Sequence, residues 1–298
     1  MTEFNTQAIT PRFCEGVSAF ADRYDGFAID QWGVLHDGQQ AYPGAVDCLQ
    51  RLSALDKIII VLTNSGKRAA PNVKRIEAMG FGPGCYTAVI SSGEVTWTAL
   101  KQRSDPYFAQ LGRRCLLFSQ GGDRSIVDGL DIDLVDRVEE ADFILLAGID
   151  ESKSGKFYEH TIAYGSAHNL PLICGNPDEI RITAQGLLPS CGAIAHRYEA
   201  FGGERVRYIG KPYPEVYKFC RKVFDDLPAD RIIAIGDSLQ HDIVGAKQMG
   251  FAAAFITEGI HKEDFADINS VVAWQKRLVT LAKAYGKLPD WVIPSLQW

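Results

Sequence analysis

The chain has no excess of positive charge: in 298 residues, 31 Lys and Arg stand against 37 Asp and Glu, a formal net charge of −6 at pH 7. Without a basic surface there is no counterion release to hold a polyanion, so nucleic acid is not an expected partner, whereas a small phosphorylated ligand needs only a few local cations. Long apolar runs are missing too. The longest, such as Ile58 to Leu62, have strand length and fall far short of the ~20 residues of a membrane helix, so no membrane partner is expected. The start, Met1 to Thr10, has neither the basic beginning nor the apolar middle of a secretory signal, and the expected location is cytoplasmic. The 7 cysteines include no CxxC pair and lie mostly in apolar surroundings, as in Cys115-Leu116-Leu117. That argues against a disulfide framework or a zinc site and for buried free thiols. Gly66-Lys67 and Gly155-Lys156 lack the rest of a P-loop, no GxGxxG follows a strand, and neither GxSxG nor HExxH occurs. His160, His168, His196 and His261 show no metal-ligand spacing and are expected on helix surfaces. There is no internal repeat and no low-complexity tract.

What is present is an ordinary globular composition, 46% hydrophobic and 23% charged, in a chain long enough for one large or two modest domains. Short apolar runs alternate with amphipathic stretches. The pattern predicts a helix over 11–24, then a buried strand at 27–29 ending at Asp30. A helix over 45–55, a strand over 57–62 ending at Thr63-Asn64-Ser65-Gly66, and a helix over 68–79 follow. Such βαβ alternation makes an α/β fold with a parallel sheet. Gly80-Phe81-Gly82-Pro83-Gly84 continues neither helix nor strand and marks a boundary. Beyond it, Ser91-Ser92-Gly93-Glu94 has capping-box spacing, and strands at 115–118, 143–146 and 172–174 suggest a second α/β unit that ends near Gly202-Gly203. Further strands are expected at 206–209, ending at Gly210-Lys211-Pro212, at 232–235, ending at Gly236-Asp237-Ser238, and at 252–256. A helix over 270–285, with Trp274, Leu278 and Leu281 along one side, closes the chain. The expected division is 1–83 with 204–298 as one domain and 84–203 as an insertion.

Four strand ends carry Asp30, Thr63-Asn64, Lys211 and Asp237. Ligands of open parallel sheets bind outside the carboxyl ends of the strands, so these distant residues are expected in one crevice. Two carboxylates, a hydroxyl beside glycine-flanked amides, and one ammonium are the parts of metal-assisted phosphoryl transfer to a carboxylate. An Asp nucleophile and a phosphate dianion repel each other, so Mg²⁺ and a Lys must neutralise the charge before attack. The hydroxyl and the amides then hold the transferring oxygens. Taken singly, the same residues have plainer readings. Asp30 is a solvated strand end, Lys211 a surface lysine in a turn, Asp237 a helix cap, Asp242 a solvated helix face, and Asn176-Pro177-Asp178 an ordinary turn.

Asp30-Gln-Trp-Gly-Val-Leu-His-Asp-Gly38 with Pro43-Gly44-Ala45, Leu62-Thr-Asn-Ser65, Gly210-Lys-Pro212 and Gly236-Asp-Ser-Leu-Gln-His-Asp242 resemble, in order and spacing, the haloacid dehalogenase (HAD) superfamily, subfamily IIA. This is the group of NagD-like and nitrophenylphosphatase-like phosphatases. Ser91-Ser92-Gly93 and Asn176-Pro177-Asp178 resemble it as well. The resemblance implies a Rossmann-like core with a parallel sheet and an inserted α/β C2-type cap domain, and a Mg²⁺-dependent phosphatase working on a small phosphorylated metabolite through an aspartyl-phosphate. It makes Asp30 the nucleophile and gives the phosphoryl group to Thr63, Asn64 and Lys211. Mg²⁺ falls to Asp30, Asp237 and the backbone carbonyl of Trp32, with Asp242 in support. Asn176 and Asp178 would lie near substrate, and a cap-mediated homodimer would fit.

One departure stands out. Family phosphatases usually carry a second Asp two residues after the nucleophile, which protonates the leaving oxygen and later activates water; here that residue is Trp32. General acid-base assistance is typically worth about 10²–10⁴-fold, so a feeble phosphatase with an intact phosphate site is expected. His36 and Asp37 are the nearby alternative proton sources, and Trp32 itself reads as core packing. An aromatic here also resembles the 2-haloacid dehalogenases, which carry Tyr and use no metal, although those enzymes lack the acid present at Asp237. The competing classes are thus the phosphatase, a metal-free dehalogenase, and a non-catalytic protein that binds a phosphoryl ligand.

Overall fold

The computed structural model describes residues 11–183, 186–225, 227–266, 268 and 270–298; segment 1–10, read above as a polar start, lies outside the described residues. The chain forms two compact units, Met1–Thr63 with Val73–Ile90 and Tyr217–Trp298, and Asn64–Asn72 with Ser91–Val216.

The first unit is built on a seven-stranded sheet in the order Arg12–Phe13, Trp291–Ile293, Ala252–Ile256, Ile232–Gly236, Gly26–Asp30, Ile58–Thr63, Ala88–Ser91. Every pairing from Arg12–Phe13 to Ile58–Thr63 is parallel. Strands covered on both faces must be apolar without alternation, which is what Ile-Ile-Ile-Val-Leu over 58–62 supplies. Register pairs Ile29 with Ile235 and with Val61, and Asp30 with Leu62, so Asp30, Thr63 and Asp237 all leave the sheet at its carboxyl edge. Helix Ala45–Ala54 buries Ala45, Cys48, Leu49 and Leu52, the three-and-four spacing of one helical face. These side chains join Phe27, Ile29, Val61, Ile233 and Ile235 in one core.

The helix expected over 11–24 is not there. Arg12–Phe13 is an edge strand beside Trp291–Ile293, and two single 3₁₀ turns follow, Val17–Ala19 and Ala21–Arg23. Distant sheet pairing wins: Arg12 N donates to Asp290 O at 2.9 Å and Cys14 N to Val292 O at 3.0 Å. Gly16 is extended, and a Cβ there would lie 2.7 Å from the carbonyl oxygens of Gln297 and Trp298. The apolar spacing was nonetheless meaningful, since Val17, Phe20, Ala21 and Tyr24 are all buried.

The second unit has a five-stranded parallel sheet in the order Val206–Tyr208, Leu172–Cys174, Phe143–Leu146, Arg114–Phe118, Asp133–Leu134. An antiparallel hairpin, Ile180–Thr183 with Gly186–Pro189, stands apart from it. Helices Gly155–Ala167 and Cys191–Ala200 accompany this sheet, whose core includes Leu116, Phe118, Ile144, Leu146 and Tyr198. Ser91 caps helix Ser92–Gln102 as its spacing promised, its Oγ accepting from Glu94 N at 3.1 Å. Glu94 does more than the motif requires: its carboxylate takes the Arg68 guanidinium at 2.7 and 2.9 Å and accepts from Ala69 N at 3.1 Å, at the start of the helix Ala69–Ala78. All 7 cysteines are free, six of them buried. Among the described residues no helix is long and apolar enough to cross a membrane.

Candidate active site

In the first unit, Asp30 ends its strand, and Asp237 and Asp242 follow the adjacent strand Ile232–Gly236. Each of the three offers a carboxylate oxygen, and these oxygens all lie within 4.8 Å of one another, with Asp237 and Asp242 buried. Thr63, buried, ends the strand on the other side of Asp30.

Glycines make this clustering possible. Gly33 has φ +78°, and a Cβ on it would fall 2.0 Å from Asp237 Oδ2; one on Gly259 would fall 2.2 Å from the same oxygen. The carboxylate is thus seated between two bare backbones, and it also accepts from Ile260 N at 2.8 Å. Asp242 lies against Gly236, where a Cβ would come within 2.1 Å of its Cγ, and accepts from Ser238 N at 3.1 Å. Gly33, Gly259 and Ile260 escaped the sequence reading, although Gly259 sits just past a strand end, the pattern that found the acids. Gly33→Ala is expected to combine left-handed strain with this close approach and to destabilise the protein by about 1–3 kcal/mol or more, read as a fall in the urea midpoint. An unchanged midpoint would show that the loop yields without cost.

The loop after Asp30 folds on itself: Leu35 N donates to Gln31 O at 2.9 Å and Gly33 N to His36 O at 3.1 Å. His36 is wholly buried, its Nδ1 accepting from Gly38 N at 2.9 Å and its Nε2 lying 3.1 Å from the Gln31 amide. An accepting Nδ1 leaves the neutral ring's proton on Nε2, for which the Gln31 amide oxygen is the natural acceptor once that amide is turned to face it. Burial first, and the Arg75 charge second, push its pKa from 6.5 down to about 4. The unfolded chain therefore binds more protons than the folded one between those values, and stability rises with pH across the window. As pH falls from about 6.5 towards 4, this contribution is lost. The slope of the urea midpoint against pH is expected to be shallower in His36→Gln than in the wild type, and equal slopes would refute the assignment. Asp37 Oδ1 accepts from Gln40 N and Gln39 N at 2.9 and 2.8 Å, and these bonds hold its carboxyl below the usual range. The two alternative proton sources are thus a neutral, fully engaged ring and an ionised turn cap.

Trp32 is not core packing. It is 41% exposed, laid over Gly38, which has φ +98° and where a Cβ would meet the indole Cζ3 at 2.4 Å. His36 meets it edge-on with centroids 5.0 Å apart, and the Arg75 guanidinium lies 5.3 Å from its centroid. Val34, Leu35 and His36, which follow it, are buried, while the indole rests on the surface.

The second unit gathers the remaining candidates. Asn64 Oδ1 accepts from Lys211 N at 2.6 Å, while its Nδ2 donates to Lys211 O at 3.1 Å and to Asp178 Oδ1 at 2.8 Å. Ser92 Oγ donates to the same Asn64 oxygen at 3.4 Å. Asn176 Oδ1 accepts from Asp178 N at 3.1 Å, closing the expected turn. Gly210 has φ +139°, with a Cβ position 2.5 Å from Ser92 Oγ and 2.7 Å from Asn64 Oδ1, so only glycine admits this approach. Lys211 is 3% exposed and is followed by a cis peptide to Pro212. Asn64, expected on the phosphoryl group, has its amide engaged with the backbone of Lys211.

Two family models match this chain, a haloacid dehalogenase-like hydrolase over residues 27–133 and a HAD-hydrolase-like model over 208–297. With the parallel sheet and the strand-end acids they fix the class: the chain belongs to the haloacid dehalogenase-like hydrolases, subfamily IIA. It is 26% identical over 255 residues to chronophin of Homo sapiens, covering 80% of this chain and 83% of that one. To the 4-nitrophenylphosphatase of Schizosaccharomyces pombe it is 27% identical over 263 residues, covering 82% and 87%. Among solved structures, a haloacid dehalogenase-like hydrolase from Brucella suis 1330 is similar with a TM-score of 0.78 at 27% identity, over 95% of this chain and 99% of that one.

Proposed function

We propose that the protein is a Mg²⁺-dependent phosphatase of the cytoplasm, acting on a small phosphorylated metabolite through an aspartyl-phosphate at Asp30. The observation that carries this reading is the convergence of Asp30, Asp237 and Asp242. Three carboxylates so close, two of them buried, repel one another unless a cation sits among them. The donors are hard oxygens of the kind Mg²⁺ takes, and all three lie close enough together to share one ion. The residues therefore fit the ion, with Asp30, Asp237 and the Trp32 carbonyl as ligands and Asp242 in support. Bound there, Mg²⁺ supplies neutralisation of the substrate dianion and polarisation of its P–O bonds.

Asp30 attacks phosphorus, Thr63 donates its hydroxyl to a transferring oxygen, and Lys211 offsets the remaining charge. Asn64 acts on Lys211 through the two backbone bonds that fix the lysine's main chain. Residues 84–203 serve as the cap, with Asn176 and Asp178 on the substrate side, and the cap is the surface for a homodimer. The metal-free dehalogenase is disfavoured by Asp237 standing in the acid cluster. Phosphate release from 4-nitrophenyl phosphate is expected to stop with EDTA and to return with Mg²⁺. Release indifferent to EDTA would overturn the metal assignment, and tight phosphate binding without turnover would favour the binding protein.

A further inference from the structure

The loop that follows Asp30 is tied together at one residue. Gly33 N donates to the carbonyl oxygen of His36 at 3.1 Å, Gly38 N donates to His36 Nδ1 at 2.9 Å, and the Gln31 amide lies 3.1 Å from His36 Nε2. Leu35 N closes the same turn on Gln31 O at 2.9 Å, and residue 36 forms isolated β-bridges with Trp32 and with Ala41. Ring and carbonyl are thus both engaged, in a residue that is wholly buried, and a polar network satisfied in this way is rigid. Residues 31 and 33, on either side of Trp32, are both held by His36. The N–H of Gly33 belongs to the same peptide unit as the Trp32 carbonyl. That unit is planar and trans, so its N–H and C=O point in opposite directions. Holding Gly33 N–H on His36 O therefore turns the Trp32 carbonyl to the side away from that oxygen. Two bonds beyond the carbonyl carbon is Gly33 Cα, which rests against the Asp237 carboxylate, since a Cβ on it would fall 2.0 Å from Oδ2. The carbonyl thus stands beside the acid cluster, with its direction set by His36.

We propose that His36 is a positioning residue of the metal site, aiming the Trp32 carbonyl at the cation held by Asp30 and Asp237. The inference rests on the Mg²⁺ reading above and adds the residue that orients its backbone ligand. In this role His36 meets neither ion nor substrate. It acts through the Trp32–Gly33 peptide, and through Gln31, the residue next to Asp30. Partners that orient a ligand in this way usually tune affinity for the metal itself. Mg²⁺ demands short bonds in near-octahedral geometry, whereas Ca²⁺ accepts irregular coordination, so a carbonyl set loose costs Mg²⁺ more than Ca²⁺. That difference separates positioning from simple support of the fold, whose loss would weaken both ions alike.

The test is calorimetric titration of the EDTA-stripped protein with MgCl₂ and, separately, with CaCl₂, in the absence of substrate and beside a thermal midpoint for each variant. His36→Phe keeps the bulk of the ring and loses both of its nitrogens. Its Mg²⁺ affinity is expected to fall about 10–100-fold, the range for groups that orient a metal ligand, and its Ca²⁺ affinity to fall less. His36→Asn, whose Oδ1 takes Gly38 N in place of Nδ1, should recover part of the Mg²⁺ affinity. Gln31→Leu removes the second anchor of the ring while leaving His36 in the chain, so it carries the test where His36→Phe does not fold, and it should lose Mg²⁺ affinity with the same preference. Wild-type Mg²⁺ affinity in either folded variant, or equal losses of Mg²⁺ and Ca²⁺ affinity, would overturn the positioning role and leave the metal reading standing. No Mg²⁺ bound by the wild type would overturn the metal reading, and this inference with it.

Discussion

Asp30→Asn is expected to bring phosphate release to the background of the assay, a loss of at least about 10³-fold. The amide has almost the shape of the carboxylate but neither its nucleophilicity nor its charge, so the attacking atom is lost and the acid cluster is left with two carboxylates. The fold should survive. Asp30 ends a strand whose register is fixed by Phe27, Ala28 and Ile29 against both neighbours, and its own pairing with Leu62 is through the backbone. A thermal midpoint within a few degrees of the wild type would confirm this. Alongside, the wild type incubated with a labelled phosphoryl donor and quenched in acid should carry label, and Asp30→Asn should carry none. Turnover unchanged in the variant would remove the nucleophile assignment, and with it the reason for reading the strand-end acids as a catalytic set.

The strands that proved easiest to read were the doubly covered ones. The runs at 58–62, 143–146, 172–174, 232–235 and 252–256 are continuous apolar stretches because a central parallel strand has no solvent face. The segment 11–24 defeated the same reasoning. Its buried Val17, Phe20, Ala21 and Tyr24 have helical spacing, but consecutive 3₁₀ turns produce that spacing too, and what decides between them is a pairing with Trp291–Ile293 nearly the whole chain away. Of the acids, Asp30 and Asp237 were legible because each interrupts an apolar run at its end. The glycines that admit the Asp237 carboxylate were not, since a requirement for no Cβ at Gly33 and Gly259 exists only once Asp237 is in place. The amide of Asn64 was legible as polar and near phosphate chemistry, whereas its bonds to the Lys211 backbone join residues 147 positions apart. Trp32 was misread because aromatic residues are usually buried, and nothing local announces that in this loop it is Leu35 and His36 that are buried and Trp32 that is exposed.

Trp32→Asp is expected to raise turnover of glycerol phosphate within the ~10²–10⁴-fold range of general acid catalysis and to change turnover of acetyl phosphate little. The selectivity follows from the leaving groups, because only the alkoxide needs a proton. The new carboxyl would follow the nucleophile by two residues, and the fraction of it that is protonated limits the gain. Structural damage should be small, because the indole is 41% exposed and its loss opens no sealed cavity, although Gly38 and Arg75 lose the ring they face. Trp32→Asn supplies the control, being of similar size with no proton to give. A gain in Trp32→Asn equal to that in Trp32→Asp would mean that the indole only obstructs the site. A folded Trp32→Asp protein no faster on glycerol phosphate than the wild type would mean that the proton is supplied from elsewhere, and that Trp32 stands in place of an acid whose task has already been taken over.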